Sequence, residues 1–268
     1  MGVYAGPANA WSNFTDENRI DASTKVVVQD GLVLNFDAGA STSYPGSGTS
    51  WTDLSGNGNN GTLVNGVGFD SDYGGSLSFD GSNQYISLGG APESLKLTDF
   101  SLYCWFQWKT GGSTTSTGSG GVTFYPIITK GRGENGSEGN NKDMNYGFGI
   151  DTSSNIAADF EDFDTGGNHP ITGTTTILKD TWYNVTVTYD GISWKIYING
   201  NLSDSLTVNE TPRYDSIQHN AIGTAMLSTG SPEGYFSGKI AISSIYNKAL
   251  TASEVSQNFN ALRSRFGI

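Results

Sequence analysis

Cysteine and positive charge are scarce in this 268-residue sequence. Cys104 is the single cysteine, which excludes an intrachain disulfide and the disulfide framework of a small secreted domain. Only 14 Lys and Arg residues stand against 26 Asp and Glu residues, a formal net charge of -12. Such a surface repels nucleic acid and anionic membranes, so neither is an expected partner. No run of 18 apolar residues predicts a membrane-spanning helix.

Glycine is abundant where charge is sparse. The sequence contains 37 glycines, and charged residues make up 15% of the chain. Average proteins have about 7% glycine and about 25% charged residues. The composition is typical of many short strands joined by polar, uncharged loops. A chain of this length can form one large all-β domain with a sizeable core.

Alternating apolar residues predict strands from residue 26 onward. Leu32, Leu34 and Phe36 give the first clear strand one apolar face. The segment FSLYCWFQW, residues 100–108, is apolar on both faces and predicts a central strand covered on both sides. Residues 80–83, DGSN, predict a hairpin turn between the short runs on either side.

Residues 181–208 predict a three-stranded meander, and one helix follows near the end of the chain. Asp190-Gly191 and Asn199-Gly200 are hairpin signals on either side of an alternating strand. Thr251 and Glu254 have the spacing of a helix capping box. The helix then carries an apolar stripe, which predicts packing against the sandwich, and ends at a glycine. These residues are Val255, Phe259, Leu262, Phe266 and Gly267.

Three segments lack a strand pattern. Residues 110–121 and 131–145 are rich in Gly, Ser and Asn, which predicts exposed tips between strands. Residues 1–25 mix isolated aromatic and polar residues and indicate an extended arm. We therefore divide the chain into an N-terminal arm over residues 1–30, for anchoring or assembly, and a β domain over residues 31–268.

The loop WTDLSGNGNNGTL, residues 51–63, admits two interpretations. Gly and Asn tolerate positive φ, and the Asp53 carboxylate can accept backbone hydrogen bonds, so the loop can simply reverse the chain between strands. Alternatively, its oxygens can face a cation or a sugar. Ca²⁺ prefers carboxylate and amide oxygens, which makes Asp53, Asn57, Asn59 and Asn60 the candidate ligands of a calcium site.

Sugar binding requires aromatic faces for stacking and polar groups for the hydroxyls. Aromatic residues outside the predicted central strands are therefore the candidate ligand contacts. They are Tyr44, Trp51, Tyr125, Tyr146, Phe163, Tyr214 and Tyr235. Trp105, Trp182 and Trp194 have strand positions that favour core packing. Spacing alone does not select one site among the candidates.

The segment DFEDFD, residues 159–164, is the nearest match to a glycan-hydrolysing site. Retaining hydrolysis needs two carboxylates about 5 to 5.5 Å apart. On a strand Asp159 and Glu161 would share a face, but a third carboxylate is missing from that face and residues 166–168, GGN, indicate a loop. A solvated acidic loop is the favoured interpretation. Catalysis and contact with a cation or a partner are the alternatives.

Five segments in order carry a family resemblance. They are GLVLNFDAG, WTDLSGNGNNGTL, SLSFDGSNQYISLG, TWYNVTVTYDGISWKIYING and SIYNKALTASEVSQNFNALRSRFG. Together they resemble a laminin-G-like member of the concanavalin A-like lectin/glucanase superfamily over about residues 30–268. The resemblance implies an all-β jelly-roll sandwich of two antiparallel sheets. Many relatives have acidic residues before the IYN motif, where this chain has Ala241-Ile242-Ser243-Ser244.

Residues 1–7, 31–66 and 246–267 resemble virion proteins of tailed bacteriophages more closely. This resemblance implies a non-enzymatic capsid or tail protein, located in the virion, that decorates the particle or acts as an adhesin toward host glycans. The expected partners are other virion proteins and host-surface carbohydrate. Because sandwich edges need covering, we also expect contacts between subunits. A glycan-binding receptor of the tail-fibre type and a glycanase are the alternative functions.

Overall fold

The computed structural model describes residues 26–133 and 139–268. Residues 1–25 of the predicted arm over residues 1–30 lie outside the described residues. The last positions of the arm, 26–30, pack against the C-terminal part of the chain. Val28 N donates to Asn258 Oδ1 at 2.7 Å. Val28 O accepts a hydrogen bond from Tyr246 OH at 3.1 Å. The chain therefore enters the domain beside its C-terminal helix.

Two antiparallel sheets form a sandwich, as predicted. Within the described ranges, sheet A has eight strands, in spatial order β15 (Asn201–Thr207), β14 (Ser193–Ile198), β13 (Trp182–Tyr189), β7 (Phe100–Ser113), β19 (Tyr235–Tyr246), β5 (Ser76–Asp80) and β4 (Gly68–Asp70), with β1 (Leu32–Asp37) also paired to β19. Sheet B has nine, in the order β12 (Ile171–Thr176), β11 (Asn155–Asp159), β10 (Tyr146–Asp151), β9 (Thr123–Lys130), β16 (Asn220–Ile222), β6 (Tyr85–Ser87), β3 (Gly61–Val64) and β2 (Ser50–Trp51), with β8 (Thr115–Ser116) paired to β9.

The remaining elements are short. Strands β17 (Ala225–Met226) and β18 (Pro232–Glu233) form a separate ribbon. One α-helix, α1 (Ala252–Leu262), and four 3-10 turns (Asp72–Gly74, Glu93–Leu95, Asn140–Lys142 and Arg263–Phe266) complete the described part of the chain. None of these helices has the length and apolar character that a membrane crossing requires.

Strand β7 is central in sheet A, which confirms the prediction from its two apolar faces. It pairs with β13 on one side and β19 on the other. Phe106 and Cys104 belong to the large core between the sheets, whereas Tyr103 and Trp105 belong to the cluster on the outer face. The meander β13–β14–β15 is also confirmed, with Val187 opposite Ile196.

Helix α1 covers the outer face of sheet A. Thr251 Oγ1 accepts a hydrogen bond from Glu254 N and the Glu254 carboxylate accepts one from Thr251 N, so the predicted capping box is present. The ring of Trp105 stacks on Phe259 at 5.8 Å and on Phe266 at 4.1 Å. Helical geometry ends earlier than predicted, because the last turn is a 3-10 turn.

One local prediction is wrong, and another holds only in part. The turn at residues 80–83 does form, with Ser82 N donating to Asp80 Oδ1 at 2.8 Å. It is not a hairpin, however, because it connects β5 in sheet A to β6 in sheet B. Residues 110–113 are exposed as predicted, whereas Thr117 in the same stretch is fully buried, and Asp143, in the described part of the stretch 131–145, is nearly fully buried. The residues of a turn determine that the chain reverses there, but they do not determine whether the two flanking strands pair with each other.

Candidate functional site

The DFEDFD segment runs beside residues 211–213 after the end of β11. Phe163 N donates to Thr211 O at 2.7 Å, and Arg213 N donates to Glu161 O at 2.8 Å. The pairing brings together two loops that are far apart in the sequence. It places Phe163 next to Tyr214.

The carboxylates of this segment are mostly inside the protein. Asp159, Glu161 and Asp162 are at most 3% exposed, and Asp164 alone is exposed. The predicted solvated loop is therefore wrong for three of its four carboxylates. The physical reason is a set of nearby backbone and hydroxyl donors, which replace water as hydrogen-bond partners.

Asp162 organises the turn that follows it. Its carboxylate accepts hydrogen bonds from Thr165 N at 2.5 Å, Thr165 Oγ1 at 2.7 Å and Gly167 N at 3.0 Å. His169 Nε2 lies 3.0 Å from Asp162 Oδ2. Burial opposes ionisation of this carboxyl, but the donors outweigh it and lower its pKa to about 2. An ionised Asp162 thus fixes the loop that carries Phe163.

Asp159 lies deeper and behaves differently. It accepts hydrogen bonds from Thr117 Oγ1 at 2.5 Å, Asn168 Nδ2 at 3.1 Å and His169 N at 2.9 Å. Burial nevertheless prevails over these donors and raises its pKa to about 7. The covering loop is close: a Cβ added at Gly121 would lie 2.6 Å from Asp159 Oδ2.

Arg213 is buried and packs against the ring of Phe163, which stacks on Tyr214. Its Nε lies 2.8 Å from Asp143 Oδ2, and both side chains are at most 3% exposed. The Arg213 guanidinium lies 4.9 Å from the centroid of the Phe163 ring. Phe163 in turn stacks on Tyr214 with centroids 5.0 Å apart and planes at 13°. Tyr214 is 39% exposed, so the stack presents an aromatic surface to solvent. We call Phe163 and Tyr214 the aromatic platform.

A buried lysine holds the loop that follows Tyr214. Lys130 Nζ donates to Ser216 O at 2.9 Å and to Gln218 O at 3.0 Å. Burial lowers the pKa of Lys130 to about 7. The sequence pattern does not mark Lys130 or Asp143 as part of a site, and the one local signal for Arg213 is its position next to Tyr214.

Three of the predicted ligand contacts are core residues instead. Tyr44, Trp51 and Tyr146 are at most 4% exposed. Trp51 stacks on Phe36 at 4.6 Å, and Tyr146 OH donates to Leu95 O at 3.0 Å. Their rings are used for packing and present no face to a ligand, so the structure does not support a binding role for them. Trp51 and Tyr146 lie in strands β2 and β10, although the sequence predicts loops at these positions.

Tyr125 and Tyr235 are partly exposed but separate from the platform. Tyr125 packs on Trp108 with centroids 5.8 Å apart, and Tyr235 packs on Tyr85 at 6.5 Å. The structure therefore joins two of the seven predicted aromatic contacts, Phe163 and Tyr214, into one exposed surface.

The loop at residues 51–63 reverses the chain between β2 and β3, and Asp53 organises it. Asp53 Oδ1 accepts hydrogen bonds from Asn35 N and Ser55 N, both at 2.9 Å. Asp53 Oδ2 accepts from Ser55 Oγ at 2.8 Å and Asn59 N at 3.0 Å. Both carboxylate oxygens are thus engaged by the protein itself.

The amides of the predicted calcium site also have protein partners. Asn60 Oδ1 accepts from Asp53 N at 2.9 Å, and Asn59 Oδ1 accepts from Ser94 Oγ at 2.9 Å. Asn57 Nδ2 points its donor at Leu32 O, 3.3 Å away. In the part of the chain that the structure describes, no group of three or more His, Cys, Asp or Glu side chains has an arrangement that could hold a metal ion.

Known proteins share this architecture. Residues 80–256 match the family model Laminin_G_3, described as the concanavalin A-like lectin/glucanases superfamily. The chain belongs to this superfamily. The resemblance drawn from the five sequence segments is therefore confirmed at the level of the family. A search of curated proteins found no match.

Solved structures agree on the fold of this laminin-G-like domain. The binding domain of Paraclostridial Mosquitocidal Protein 1 aligns with a TM-score of 0.60 and 17% identity, covering 87% of this chain and 52% of that chain. Domain 4 of AbnA, a GH43 extracellular arabinanase from Geobacillus stearothermophilus in complex with arabinotriose, aligns with a TM-score of 0.57 and 18% identity, covering 85% and 97%.

A botulinum neurotoxin type C structure is also similar. It aligns with a TM-score of 0.57 and 18% identity, covering 88% of this chain and 52% of that chain, and its cell entry is described as dependent on two ganglioside molecules. The laminin-G-like domain thus spans about half the length of both toxin chains. At identities this low, the structural alignments show a shared fold.

Proposed function

We propose that this laminin-G-like domain is a non-enzymatic glycan-binding module of a tailed-phage virion, which contacts saccharide through the aromatic platform. The observation that carries the proposal is the stacked and partly exposed pair Phe163–Tyr214. A stacked aromatic surface suits the apolar face of a sugar ring, and polar groups at its rim suit the hydroxyls.

Buried contacts hold the platform in place, which favours binding. The buried pair Arg213–Asp143 lies beneath it, and Asp162 holds the turn at one side. Binding sites lose less conformational entropy when their contact residues are already ordered. Exposed polar groups of Asp164 and Thr165 lie in the same loop and can serve the hydroxyls of a bound sugar.

The similar proteins support a role in binding. Domain 4 of AbnA is in complex with arabinotriose, and the type C neurotoxin depends on gangliosides. Both are saccharide-containing molecules, and both proteins share the sandwich of this domain. The transfer of that role to this chain is our proposal and depends on the platform.

The carboxylates favour a non-catalytic role. A glycanase needs an accessible acid and a second carboxylate that can reach the same sugar. Asp159 is fully buried, with Gly121 directly over it, and Glu161 is 3% exposed. Their hydrogen bonds hold the loops together, which supports a structural role for the DFEDFD segment.

The virion setting depends on the resemblance of residues 1–7, 31–66 and 246–267 to phage virion proteins. In this proposal the arm attaches the protein to other virion proteins of the capsid or tail. The domain then projects toward the host surface as a decoration protein or adhesin. Copies of the chain and neighbouring virion proteins cover the sheet edges.

A glycan array with matched variants tests the binding role. We expect the intact protein to bind a defined set of saccharides. Tyr214→Ala and Phe163→Ala are each expected to lower the affinity by about fivefold, since a stacked aromatic contact contributes about 1 kcal/mol. Phe69→Ala is the control, because Phe69 is also 39% exposed and lies outside the platform. Unchanged binding by both platform variants would refute the proposal.

A further inference from the structure

A polar cleft lies between helix α1 and the turn that joins β14 to β15. Its volume is about 230 Å³. The turn contributes Asn199, Gly200 and Asn201, and the helix contributes Ser256, Phe259 and Asn260 together with Arg263 at its C-cap. The helical residues recur at spacings of three or four, so they lie on one face of the helix. The cleft is separate from the aromatic platform, with which it shares no residue.

Backbone geometry at the turn shapes the cleft. Asn199 and Gly200 have φ of +50° and +77°, the left-handed conformation of a tight hairpin turn. A Cβ added at Gly200 would lie 2.9 Å from Phe259 Cδ1. Glycine therefore lets the turn approach the helix and close one side of the cleft.

Arg263 is the residue that gives the cleft its chemistry. The described part of the chain contains four arginines, and three of them pair with carboxylates: Arg132 with Glu233, Arg213 with Asp143 and Arg265 with Asp37. Arg263 makes no ion pair and no hydrogen bond through its side chain among the described residues. Its guanidinium lies 5.7 Å from the centroid of the Phe259 ring.

Arg263 is exposed, so water satisfies its N–H donors in the free protein, and despite the net charge of -12 it has no carboxylate partner within the described residues. Carboxylates are plentiful, yet none within the described residues lies close enough to neutralise Arg263. A guanidinium has five N–H donors in a planar fork that matches a carboxylate. The cleft thus offers an anion a set of donors that the protein does not use itself.

The other polar groups suit hydroxyls. Asn260 Nδ2 donates to Ser256 Oγ at 3.2 Å, which leaves the Ser256 O–H and Asn260 Oδ1 available. Asn201 Nδ2 donates to Asn199 O at 3.1 Å, which leaves Asn201 Oδ1 as an acceptor. Donors and acceptors therefore surround one cation. The volume is below the roughly 300 to 1,000 Å³ of sites for drug-sized ligands, which suits a single sugar ring.

We propose that this cleft binds a carboxylate-bearing sugar residue of the uronate type, with Arg263 on the carboxylate and the Asn and Ser side chains on the hydroxyls. The inference extends the proposed glycan-binding function to acidic saccharides. It uses residues other than those of the platform, so the two can fail independently.

The matched probes are D-glucuronate and D-glucose, which differ at C6 in a carboxylate against a hydroxymethyl group. Titration of each into the isotopically labelled full chain, followed by amide chemical shifts, reports the site directly. We expect glucuronate to shift the amides of residues 199–201 and 256–263 in a saturable manner. Glucose is expected to leave them unchanged. Equal shifts with both sugars, or no shifts at these residues, would overturn the proposal.

Variants of Arg263 test the carboxylate contact. Arg263→Gln is expected to weaken glucuronate binding by about 10- to 100-fold, because it removes a charged hydrogen-bond donor. Arg263→Lys keeps the charge without the planar fork and is expected to retain part of the affinity. Lys179→Gln makes the same change in net charge at an exposed residue that does not line the cleft. Equal effects of Arg263→Gln and Lys179→Gln would refute the contact.

The platform variant separates the two proposals. Tyr214→Ala is expected to leave the shifts at the cleft unchanged. If Arg263→Gln has no effect on glucuronate while Tyr214→Ala abolishes array binding, the cleft is refuted and the platform stands. The reverse result refutes the platform and retains the cleft.

Discussion

Arg213 and Asp143 form an ion pair with Nε and Oδ2 2.8 Å apart, in which neither side chain is more than 3% exposed. Asp143 comes from the segment before β10, and Arg213 comes from the long loop before β16. The pair therefore joins two loops beneath the aromatic platform. Arg213 Nη1 also lies 3.7 Å from Asp215 Oδ1. Because Arg213 and Asp143 are both buried, loss of either side chain removes a close counter-charge inside the protein, which is costly.

Arg213→Ala is expected to destabilise the domain by about 3 to 5 kcal/mol, because it removes the buried guanidinium that lies 2.8 Å from the Asp143 carboxylate. Urea denaturation of the wild type and the variant measures this free energy of unfolding. The double variant Arg213→Met with Asp143→Leu is the control and is expected to recover most of the loss. A loss below about 1 kcal/mol in the single variant would contradict the prediction.

The stability of the domain is expected to depend on pH through Asp159. Its pKa in the folded state is about 7, above the value near 3.9 of an unfolded chain. Between about pH 4 and pH 7, Asp159 is therefore protonated in the folded state and ionised in the unfolded state. The free energy of unfolding declines as pH rises through this window, because the unfolded state binds fewer protons than the folded state.

Asp159→Asn tests this dependence, because the amide imitates the protonated carboxyl. Unfolding free energies from urea titrations at several pH values are expected to decline less steeply between about pH 4 and pH 7 in this variant. Asp164→Asn, at the exposed carboxylate of the same segment, is expected to keep the wild-type slope. Identical slopes for wild type and Asp159→Asn would show that Asp159 titrates normally.

Gly200→Ala is expected to destabilise the domain by about 1 to 3 kcal/mol through backbone strain and the clash with Phe259. Gly58→Ala is a closely matched control, because Gly58 has φ +76° against +77° for Gly200 and no atom within 4 Å of an added Cβ. The difference in melting temperature between the two variants isolates the contact with the helix. An equal decrease in melting temperature for both variants would mean that the contact with Phe259 adds nothing to the effect of backbone strain.

The calcium prediction for the loop at residues 51–63 remains open to a direct test. Because both Asp53 oxygens already accept two hydrogen bonds each, we expect the melting temperature to be the same with Ca²⁺ and with a chelator. Asp53→Asn is nevertheless expected to cost about 1 to 3 kcal/mol, since it disrupts hydrogen bonds to buried backbone groups. A melting temperature that rises with Ca²⁺ concentration would establish a bound ion.

Deletion of residues 1–25 tests the proposed arm. We expect the truncated protein to fold with an unchanged far-ultraviolet circular dichroism spectrum and to be absent from assembled particles. Incorporation is measured by quantitative mass spectrometry of purified virions. Normal incorporation of the truncated protein would exclude an anchoring role for the arm.

Local sequence signals predicted much of the framework. The capping box at Thr251 and the hairpin turns at Gly191 and Gly200 are encoded within a few residues, so each could be found without knowledge of the rest of the fold. The turn at residues 80–83 was misjudged because the same local chemistry serves a hairpin and a crossing between sheets.

The candidate site was harder to predict because its contacts join distant segments. Phe163 and Tyr214 were both candidates, but their stacking depends on the pairing of residues 161–163 with residues 211–213. The burial of Asp159 depends on donors from Thr117 and Asn168. The sequence predicts solvated carboxylates in the DFEDFD segment, but in the folded protein backbone and side-chain donors replace water around Asp159 and Asp162.

The apolar clusters on the outer faces of the two sheets have a consequence for how specificity can change. Helix α1 occupies the outside of sheet A, and Val122, Phe124 and Met144 form an apolar cluster outside the central strands of sheet B. The aromatic platform itself lies on loops. If the proposed virion role holds, a library randomised at residues 163, 164 and 214 is expected to change the glycans that the particle binds while leaving the sheets intact, so host range would shift without loss of the scaffold.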